Sequence, residues 1–303
     1  MAATTVSSVG QTREAARPGR AEQGAVRAGQ AVLFTALFVY FTLPMLTVFL
    51  YSIATRWTAN VLPDGYTLDW WIATFADRAV IGAFGTTLLL ATITAVLDIV
   101  VVVPAAYWSR VRNPRIRPII ELSAAIPFAL PYIVIGFGLL QFSGIVAPPL
   151  QGTFPLLVIG HAAIAFPFLY WAVDGAMAAA GIERLSEAAE ACGASPIQIL
   201  RRIVLPNIRP GVVTGALLAF ATSFGEFALV QIVARGVYTV PIWSAEAIRS
   251  YTGEPGNFNR LAVVTMVNFI VLFVLSAAVV YFNRGQTVRL LPGARSIERG
   301  ERR

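Results

Sequence analysis

The chain has 303 residues, of which 57% are hydrophobic and 13% are charged, and its mean hydropathy is +0.70. A soluble domain carries about 25% charged residues, so this composition excludes a soluble globular protein and indicates an integral membrane protein. The net charge of +7 comes from arginines that flank apolar segments, which argues against the basic, aromatic-rich surface of a nucleic-acid-binding protein.

The N-terminal part of the chain combines a polar tail with one apolar segment. Residues 1–30 are polar and basic and are predicted to be a flexible cytosolic tail. Residues 31–53 carry no charge. This run is longer than the core of a signal peptide and long enough to span a bilayer core of about 30 Å. Residues 55–79 then form a polar loop whose tryptophans suit a membrane–water boundary.

Five further apolar segments give six predicted transmembrane helices in a domain that spans residues 31–283. They are expected at residues 80–108, 119–142, 154–173, 211–234 and 261–282. Pro127 and Pro131 should break the regularity of the third span. Residues 235–259 should lie on the outer side and could dip back toward the membrane, and residues 284–303 are a basic cytosolic tail.

The distribution of arginine predicts the orientation of the chain. With both termini in the cytosol, 18 of the 23 arginines fall in cytosolic segments and 5 fall outside. Cytosolic segments of membrane proteins carry the excess of positive charge, so this orientation is preferred over its inverse. The expected fold class is an all-α membrane protein with six transmembrane helices and two cytosolic termini.

One polar segment, residues 181–210, has the pattern of a helix, a turn and a second helix between two spans. Its first part is rich in Ala, Glu and Leu, which favour a helix, and Gly193 can adopt the left-handed conformation that ends one. Ser195 before Pro196 is an N-cap followed by proline at the first helical position. Pro206 is expected to end the second helix. An ordinary solvated loop is the alternative interpretation.

The same segment contains the pattern E-A-A-x3-G-x9-I-x-L-P. Its named positions are all occupied, by Glu187, Ala188, Ala189, Gly193, Ile203, Leu205 and Pro206. This pattern resembles the signature loop of permease subunits in binding-protein-dependent ABC importers, which have the type I importer fold. The resemblance covers about two thirds of the chain, from Gly85 to Phe282. It implies that the segment is a cytosolic coupling loop that docks into the ATP-hydrolysing subunit, with Glu187 paired to a basic residue there.

The resemblance implies a permease without enzymatic activity, located in the bacterial cytoplasmic (inner) membrane. It forms the translocation pathway with a second permease subunit, homologous or identical, and works with two ABC ATPase subunits and an extracytoplasmic solute-binding protein. The chain contains no phosphate-binding G-x-x-x-x-G-K-[ST] loop. We therefore expect no cofactor or metal in this chain, with ATP and Mg²⁺ bound by the partner ATPase.

Ionisable residues inside spans cost about 2.5–3.5 kcal/mol each on insertion scales, so each requires a partner or a function. Glu226 beside Gly225 is the first candidate for lining the pathway, with a structural tie to a neighbouring helix as the alternative. The full set of pathway candidates is Ser223, Gly225, Glu226, Tyr132 and Asp98. For Asp98 the alternative is a buried, hydrogen-bonded structural acid, and His161 is interpreted as a helix-packing residue.

Two other classes of function are weighed against the importer. A proton-coupled secondary transporter would use the intramembrane acids, and the coupling signature argues against it. An intramembrane enzyme would use His161 with Asp174 or Glu226, but the chain has one histidine and no clear nucleophile–base pair. The fifth-span sequence FGEFALVQIVARGVYTVPIW resembles permeases of the polyamine, iron, phosphonate and molybdate/sulfate group. The expected substrate is a small charged solute such as a polyamine or 2-aminoethylphosphonate.

Overall fold

The computed structural model describes residues 20–57, 60–234, 236–250 and 256–283, with residues 20–26 and 282–283 described by backbone only. Most residues in these ranges are helical, and the ranges contain no strand; one isolated antiparallel bridge joins Ala54 to Tyr66. The chain divides into two compact units, residues 1–50 and residues 51–303.

The described part of the first unit is helix α1, which runs from Arg20 to Ile53 and ends three residues into the second unit. Its apolar part, Arg27–Ile53, is long enough to cross a membrane. The expectation of a flexible tail up to residue 30 is wrong for residues 20–30, which are helical because Ala, Arg, Glu and Gln are good helix formers. The predicted tails at residues 1–19 and 284–303 lie outside the described residues.

The second unit contains eleven further α-helices within the described ranges. They are α2 (Asp69–Ala76), α3 (Arg78–Tyr107), α4 (Arg117–Ala129), α5 (Tyr132–Val146), α6 (Phe154–Ala180), α7 (Ile182–Ala191), α8 (Pro196–Ile199), α9 (Leu205–Phe224), α10 (Ala228–Val233), α11 (Val240–Arg249) and α12 (Asn257–Asn283). Two π-helical turns, Trp108–Arg112 and Leu200–Val204, extend α3 and join α8 to α9.

Five helices in the described part of the chain are long and apolar enough to cross a membrane, and the pair α4 and α5 makes a sixth if read as one span. On that reading the predicted number is confirmed. The pair is bent by 113°. The bend lies at Leu130, which is extended before Pro131, as a residue preceding proline prefers. Pro127, by contrast, lies inside α4.

The expectation that Pro206 ends the second helix of the coupling loop is wrong. Pro206 lies in the first turn of α9, where the missing N–H of proline is tolerated, and Pro210 lies further inside the same helix. The π-helical turn Leu200–Val204 precedes it, so the helix continues without interruption from Pro196 to Phe224. The fifth span therefore begins in the coupling loop and not at residue 211.

Helices α3, α6 and α9 form the centre of the bundle, and glycines allow α9 to approach α6 closely. A Cβ atom added at Gly211 would lie 2.4 Å from Ala176 Cβ, and one added at Gly215 would lie 2.6 Å from Leu169 Cδ1. The G-x3-G spacing of these two glycines thus places both of them in the close contact between α9 and α6. The buried core around this crossing includes Tyr107, Leu169, Tyr170, Val173, Met177, Ile182, Ile199, Val204 and Ile208.

At the opposite end of the second unit, helix α2 fixes the loop that follows α1. This short helix was not predicted from the sequence. The Trp70 indole donates to the carbonyl oxygen of Ala54 at 2.8 Å, and the Asn259 amide of α12 donates to the carbonyls of Tyr51 and Ala54 at 2.8 and 3.0 Å. We call this the α2 end of the bundle, and the end that carries α7 the α7 end.

Candidate functional site

The coupling segment has the predicted order of helix, turn and helix. Gly181 ends α6 with a φ of +61°, and Gly193 follows α7 with a φ of +81°, both in the left-handed region that favours glycine. Ser195 caps α8, because its hydroxyl oxygen accepts from the Gln198 N–H and the Gln198 side chain accepts from the Ser195 N–H. The predictions for Gly193 and Ser195 are confirmed.

Three glutamates, Glu183, Glu187 and Glu190, occur at i, i+4 and i+7 along α7 and therefore share one face of the helix. Glu183 forms an ion pair with Arg110 at 3.0 Å, and Glu190 forms one with Arg112 at 2.8 Å. Glu187 is exposed and forms no ion pair within the described ranges. It is the acid of this face whose charge is available to another molecule.

The remaining signature residues divide between an exposed and a packed set. Ala188 and Pro206 are exposed, whereas Ala189, Ile203 and Leu205 pack against the core of the α7 end. The small side chain of Ala188 leaves the backbone of α7 open to close approach. The signature therefore has exposed residues that are accessible to another protein and apolar residues that pack the segment against the bundle.

The basic loop between α3 and α4 lies against the coupling segment. The Arg110 Nη1 donates to Asp174 Oδ1 of α6 at 3.2 Å, while Arg110 Nε lies 3.0 Å from Glu183 Oε1 as an ion pair without hydrogen-bond alignment. Arg117 donates to the other oxygen of Asp174 at 3.1 Å and to Glu121 at 2.9 Å. These arginine partners of Asp174 and Glu121 were not predicted from the sequence.

Glu226 lies in the break between α9 and α10, and its side chain is only 3% exposed. Its two carboxylate oxygens accept from the Leu229 N–H at 3.0 and 2.9 Å, and Oε2 also accepts from the Val230 N–H at 3.3 Å. The carboxylate thus caps the first turn of α10. His161 of α6 places Nε2 3.8 Å from the same Oε2, while its Nδ1 lies 2.9 Å from the Leu157 carbonyl oxygen.

The other pathway candidates are distributed over two places. The Ser223 hydroxyl donates to Thr94 Oγ1 at 3.4 Å and joins α9 to α3, and buried Asp98 lies one turn along α3 from Thr94. Asp98 Oδ2 has no hydrogen-bond partner in the described ranges. Tyr132 is the first residue of α5.

The cap formed by Glu226 leads to a test that separates structure from transport. Glu226→Ala removes the acceptor of two buried N–H groups, each worth about 1–3 kcal/mol, and should lower the Tm in detergent by several degrees. Glu226→Gln keeps an acceptor oxygen and should recover most of the Tm. Asp64→Ala, at an exposed acid, is the control and should change stability by less than about 0.5 kcal/mol. An unchanged Tm for Glu226→Ala would refute the cap, and reduced uptake by Glu226→Gln at wild-type Tm would support a pathway role.

The α2 end carries a separate polar cavity of about 310 Å³. Its lining includes Asp77, Tyr238, Trp243, Glu246 and Arg260. The hydrogen bond from the Arg260 guanidinium holds the pKa of Asp77 below its ordinary value. Burial and the 2.6 Å hydrogen bond to Glu246 raise the pKa of Tyr238 to about 12. Two carboxylates and one guanidinium give this cavity a net negative charge near neutral pH.

Comparison with known proteins gives one family match. Residues 99–289 match the family described as binding-protein-dependent transport system inner membrane component. The chain is 34% identical over 166 residues to the molybdenum transport system permease protein ModB of Azotobacter vinelandii, covering 50% of this chain and 72% of ModB. It is 29% identical over 246 residues to the 2-aminoethylphosphonate transport system permease protein PhnV of Salmonella typhi, covering 80% and 89%.

Solved structures of similar fold include two ABC transporters. A chain of a bacterial ABC transporter that imports the acidic polysaccharide alginate superposes with a TM-score of 0.65 at 18% identity, covering 87% of this chain and 98% of that one. A chain of the MetNI methionine ABC transporter in an inward-facing conformation gives a TM-score of 0.52 at 21% identity, covering 68% and 94%. At these identities the likeness establishes the fold only.

Proposed function

Because the chain belongs to the family of binding-protein-dependent transport system inner membrane components, we propose that a separate ATPase drives it through Glu187. The chain is a multi-pass permease subunit of a binding-protein-dependent ABC importer, which is a non-enzymatic membrane component. In our proposal ATP and Mg²⁺ bind to the ATPase, and this chain forms the translocation pathway and transmits the motion.

The exposed position of Glu187 carries this proposal. On α7 it lies between two glutamates that are already paired with arginines of the same chain. A carboxylate that is solvent-exposed, flanked by small side chains and close to a left-handed glycine can accept a bidentate hydrogen-bonded pair from an arginine of a docked protein. Gly193 forms the turn after α7, and Glu187 and Ala188 of α7 are exposed to solvent.

The assembly we propose contains two ATPase subunits, a second permease subunit and an extracytoplasmic solute-binding protein. The α7 end and both termini lie in the cytosol, which agrees with the bias of arginine toward that side. ATP binding closes the ATPase pair and displaces α7. In our proposal the spans have two arrangements, one open to the outside and one open to the cytosol. ATP and the loaded binding protein shift the balance between them because they bind one arrangement more tightly than the other.

The translocation pathway in our proposal passes the break between α9 and α10, near Ser223, Gly225 and Glu226. Asp98 and Tyr132 contribute from α3 and α5. A break in a spanning helix supports this assignment, because irregular backbone at membrane depth is tolerated where protein or a water-filled cavity surrounds it. The capping bonds of Glu226 mean that its role includes holding that break in place.

For the substrate we propose a small solute with a tetrahedral oxyanion group, and 2-aminoethylphosphonate first. PhnV is named for 2-aminoethylphosphonate, ModB for molybdenum, and CysW of Escherichia coli, 27% identical over 215 residues, for sulfate. Phosphonate, molybdate and sulfate share tetrahedral geometry and negative charge. This chemistry favours the phosphonate over the polyamine that the sequence alone also suggested.

Uptake measurements that separate the two energy sources test the function. Cells that express the chain with its ATPase and binding protein should accumulate labelled 2-aminoethylphosphonate, with molybdate, sulfate and putrescine as competitors. Depleting ATP while the proton gradient is kept should stop uptake, and an uncoupler at constant ATP should not. Uptake that survives ATP depletion and collapses with the uncoupler would overturn the importer in favour of a proton-coupled transporter. Competition by putrescine alone would overturn the oxyanion class.

A further inference from the structure

We propose that Arg110 and Arg112 act as positioning residues that fix α7 to the ends of α3 and α6, so that displacement of α7 moves both spans. We call the set Arg110, Arg112, Asp174, Glu183 and Glu190 the ionic clamp. This inference rests on the proposed function, because it concerns how the motion of the docked ATPase enters the bundle.

Arg110 connects three elements with a single side chain that is 8% exposed. It extends from the π-helical turn at the end of α3, donates to Asp174 of α6 and lies against Glu183 at the start of α7. The planar guanidinium can engage two carboxylates at once, which the ammonium of lysine does less well. The Arg110 guanidinium is thus a largely buried cation between two acids. Moving it away from them is costly, because it would leave a buried charge without a partner.

Arg112 provides the second attachment. Its Nη2 lies 2.8 Å from Glu190 Oε1, at the far end of α7 from Glu183. Glu183 and Glu190 are seven residues apart, which is roughly 10 Å along a helix. Two attachments separated by this distance prevent α7 from turning about either one. Glu187, the predicted contact of the ATPase, lies between them.

The turns on both sides of α7 support the same role. The π-helical turn Trp108–Arg112 carries both clamp arginines, and α7 also contacts the π-helical turn Leu200–Val204. π-Helical turns are rare and occur frequently at functional sites. Beneath α7 the contact is apolar, with Ile182 and Ile199 fully buried. The ion pairs add directional contacts to this packing at both ends of α7.

The ends of α7 explain why the clamp matters for coupling. Gly181 and Gly193 bound the helix in left-handed conformations, and α7 has ten residues, too few to be stable alone in water. Without the clamp, α7 can pivot between these glycines. A force applied at Glu187 would then turn α7 and would not reach α3 and α6. ATP would be hydrolysed without a matching amount of solute moved.

The test uses charge exchange within the complete complex in vesicles, loaded with binding protein and labelled 2-aminoethylphosphonate, or molybdate if that is the transported ion. The variants are Arg110→Gln, Arg112→Glu, Glu190→Arg and the double exchange Arg112→Glu with Glu190→Arg. Arg115→Gln is the matched control, since Arg115 is exposed on the same loop and forms no ion pair in the described ranges. Three quantities are measured: ATPase subunits retained, ATP hydrolysed, and solute imported per ATP.

We expect Arg110→Gln to lower the solute imported per ATP by about tenfold. Each single change at the Arg112–Glu190 pair should lower it by about fivefold, and both values are within the usual range of coupling between sites. ATPase retention and hydrolysis should stay within about twofold of wild type, and the double exchange should restore solute per ATP, as expected when two residues act as a pair. Failure of the double exchange to restore coupling would overturn the clamp, as would loss of the ATPase subunits from the single variants or an equal effect of Arg115→Gln. A wild-type complex that imports solute without ATP would instead refute the proposed function.

Discussion

Replacing Glu187 with arginine is expected to abolish ATP-driven uptake while the chain remains folded in the membrane. Glu187 is exposed and contributes no ion pair to this chain within the described ranges, so its loss should not change the Tm. At the interface with the ATPase, the new arginine would face the basic residue that Glu187 is proposed to pair with. Breaking an interfacial charge pair costs about 2–5 kcal/mol, or roughly 30-fold and more in affinity.

Retention of the ATPase on the purified chain and uptake in vesicles are the two measurements for this variant. Glu187→Gln should have an intermediate effect, because the amide keeps a hydrogen-bond acceptor and loses the charge. Arg115→Glu reverses a charge at a nearby exposed position and should leave both quantities close to wild type. Normal uptake by Glu187→Arg would show that α7 does not dock through this residue.

Replacing Gly211 with valine should prevent accumulation of the folded chain. The Cβ atom alone would lie 2.4 Å from Ala176 Cβ and 2.7 Å from the carbonyl oxygen of Ala172 in α6. A backbone carbonyl inside a helix cannot turn away as a side chain can. Overpacking costs about 1–3 kcal/mol where neighbours can shift, and more is expected here because α9 must separate from α6 along its length.

Gly175 of α6 offers the matched control for this substitution, because a Cβ atom there would meet nothing within 4 Å. Gly175→Ala should raise stability by about 0.4–1 kcal/mol through the lower entropy of the unfolded chain. The Tm in detergent and the yield of membrane-inserted protein distinguish the two variants. A Tm for Gly211→Val close to that of Gly175→Ala would contradict the close crossing of α6 and α9.

The composition and local patterns were sufficient to predict six spans, with α4 and α5 counted as one, and the turn between α7 and α8. Long uncharged runs have few alternatives to a membrane helix, and the N-cap at Ser195 and the turn at Gly193 depend on residues within three positions of each other. The prediction that the second helix of the coupling loop ends at Pro206 was wrong because the local sequence around a proline is ambiguous. Proline is common both at the start of a helix and after its end, and the π-helical turn that precedes Pro206 was not predicted.

The candidate site could be predicted only in part, because its contacts join distant segments. Glu187 was singled out because the pattern over residues 187–206 resembles the signature loop of importer permeases, and its pairing with the ATPase stays a prediction. The pairing of Arg110 with Asp174 joins residues 64 positions apart and depends on how α3 and α6 pack. Glu226 illustrates the same limit: the choice between a pathway acid and a structural tie depends on the backbone N–H groups of α10, which the sequence does not display.

The uninterrupted helix from Pro196 to Phe224 also constrains how this protein can evolve. Its 29 residues have a length of roughly 43 Å at 1.5 Å per residue, and each residue adds a rotation of about 100°. An inserted or deleted residue between Gly211 and Ser223 would rotate these two positions relative to each other by about 100°, so the contact of Ser223 with Thr94 and the close crossing of Gly211 at Ala176 could not both be kept. Substitutions on its exposed side are compatible with this geometry, but a change in its length between these two positions is not.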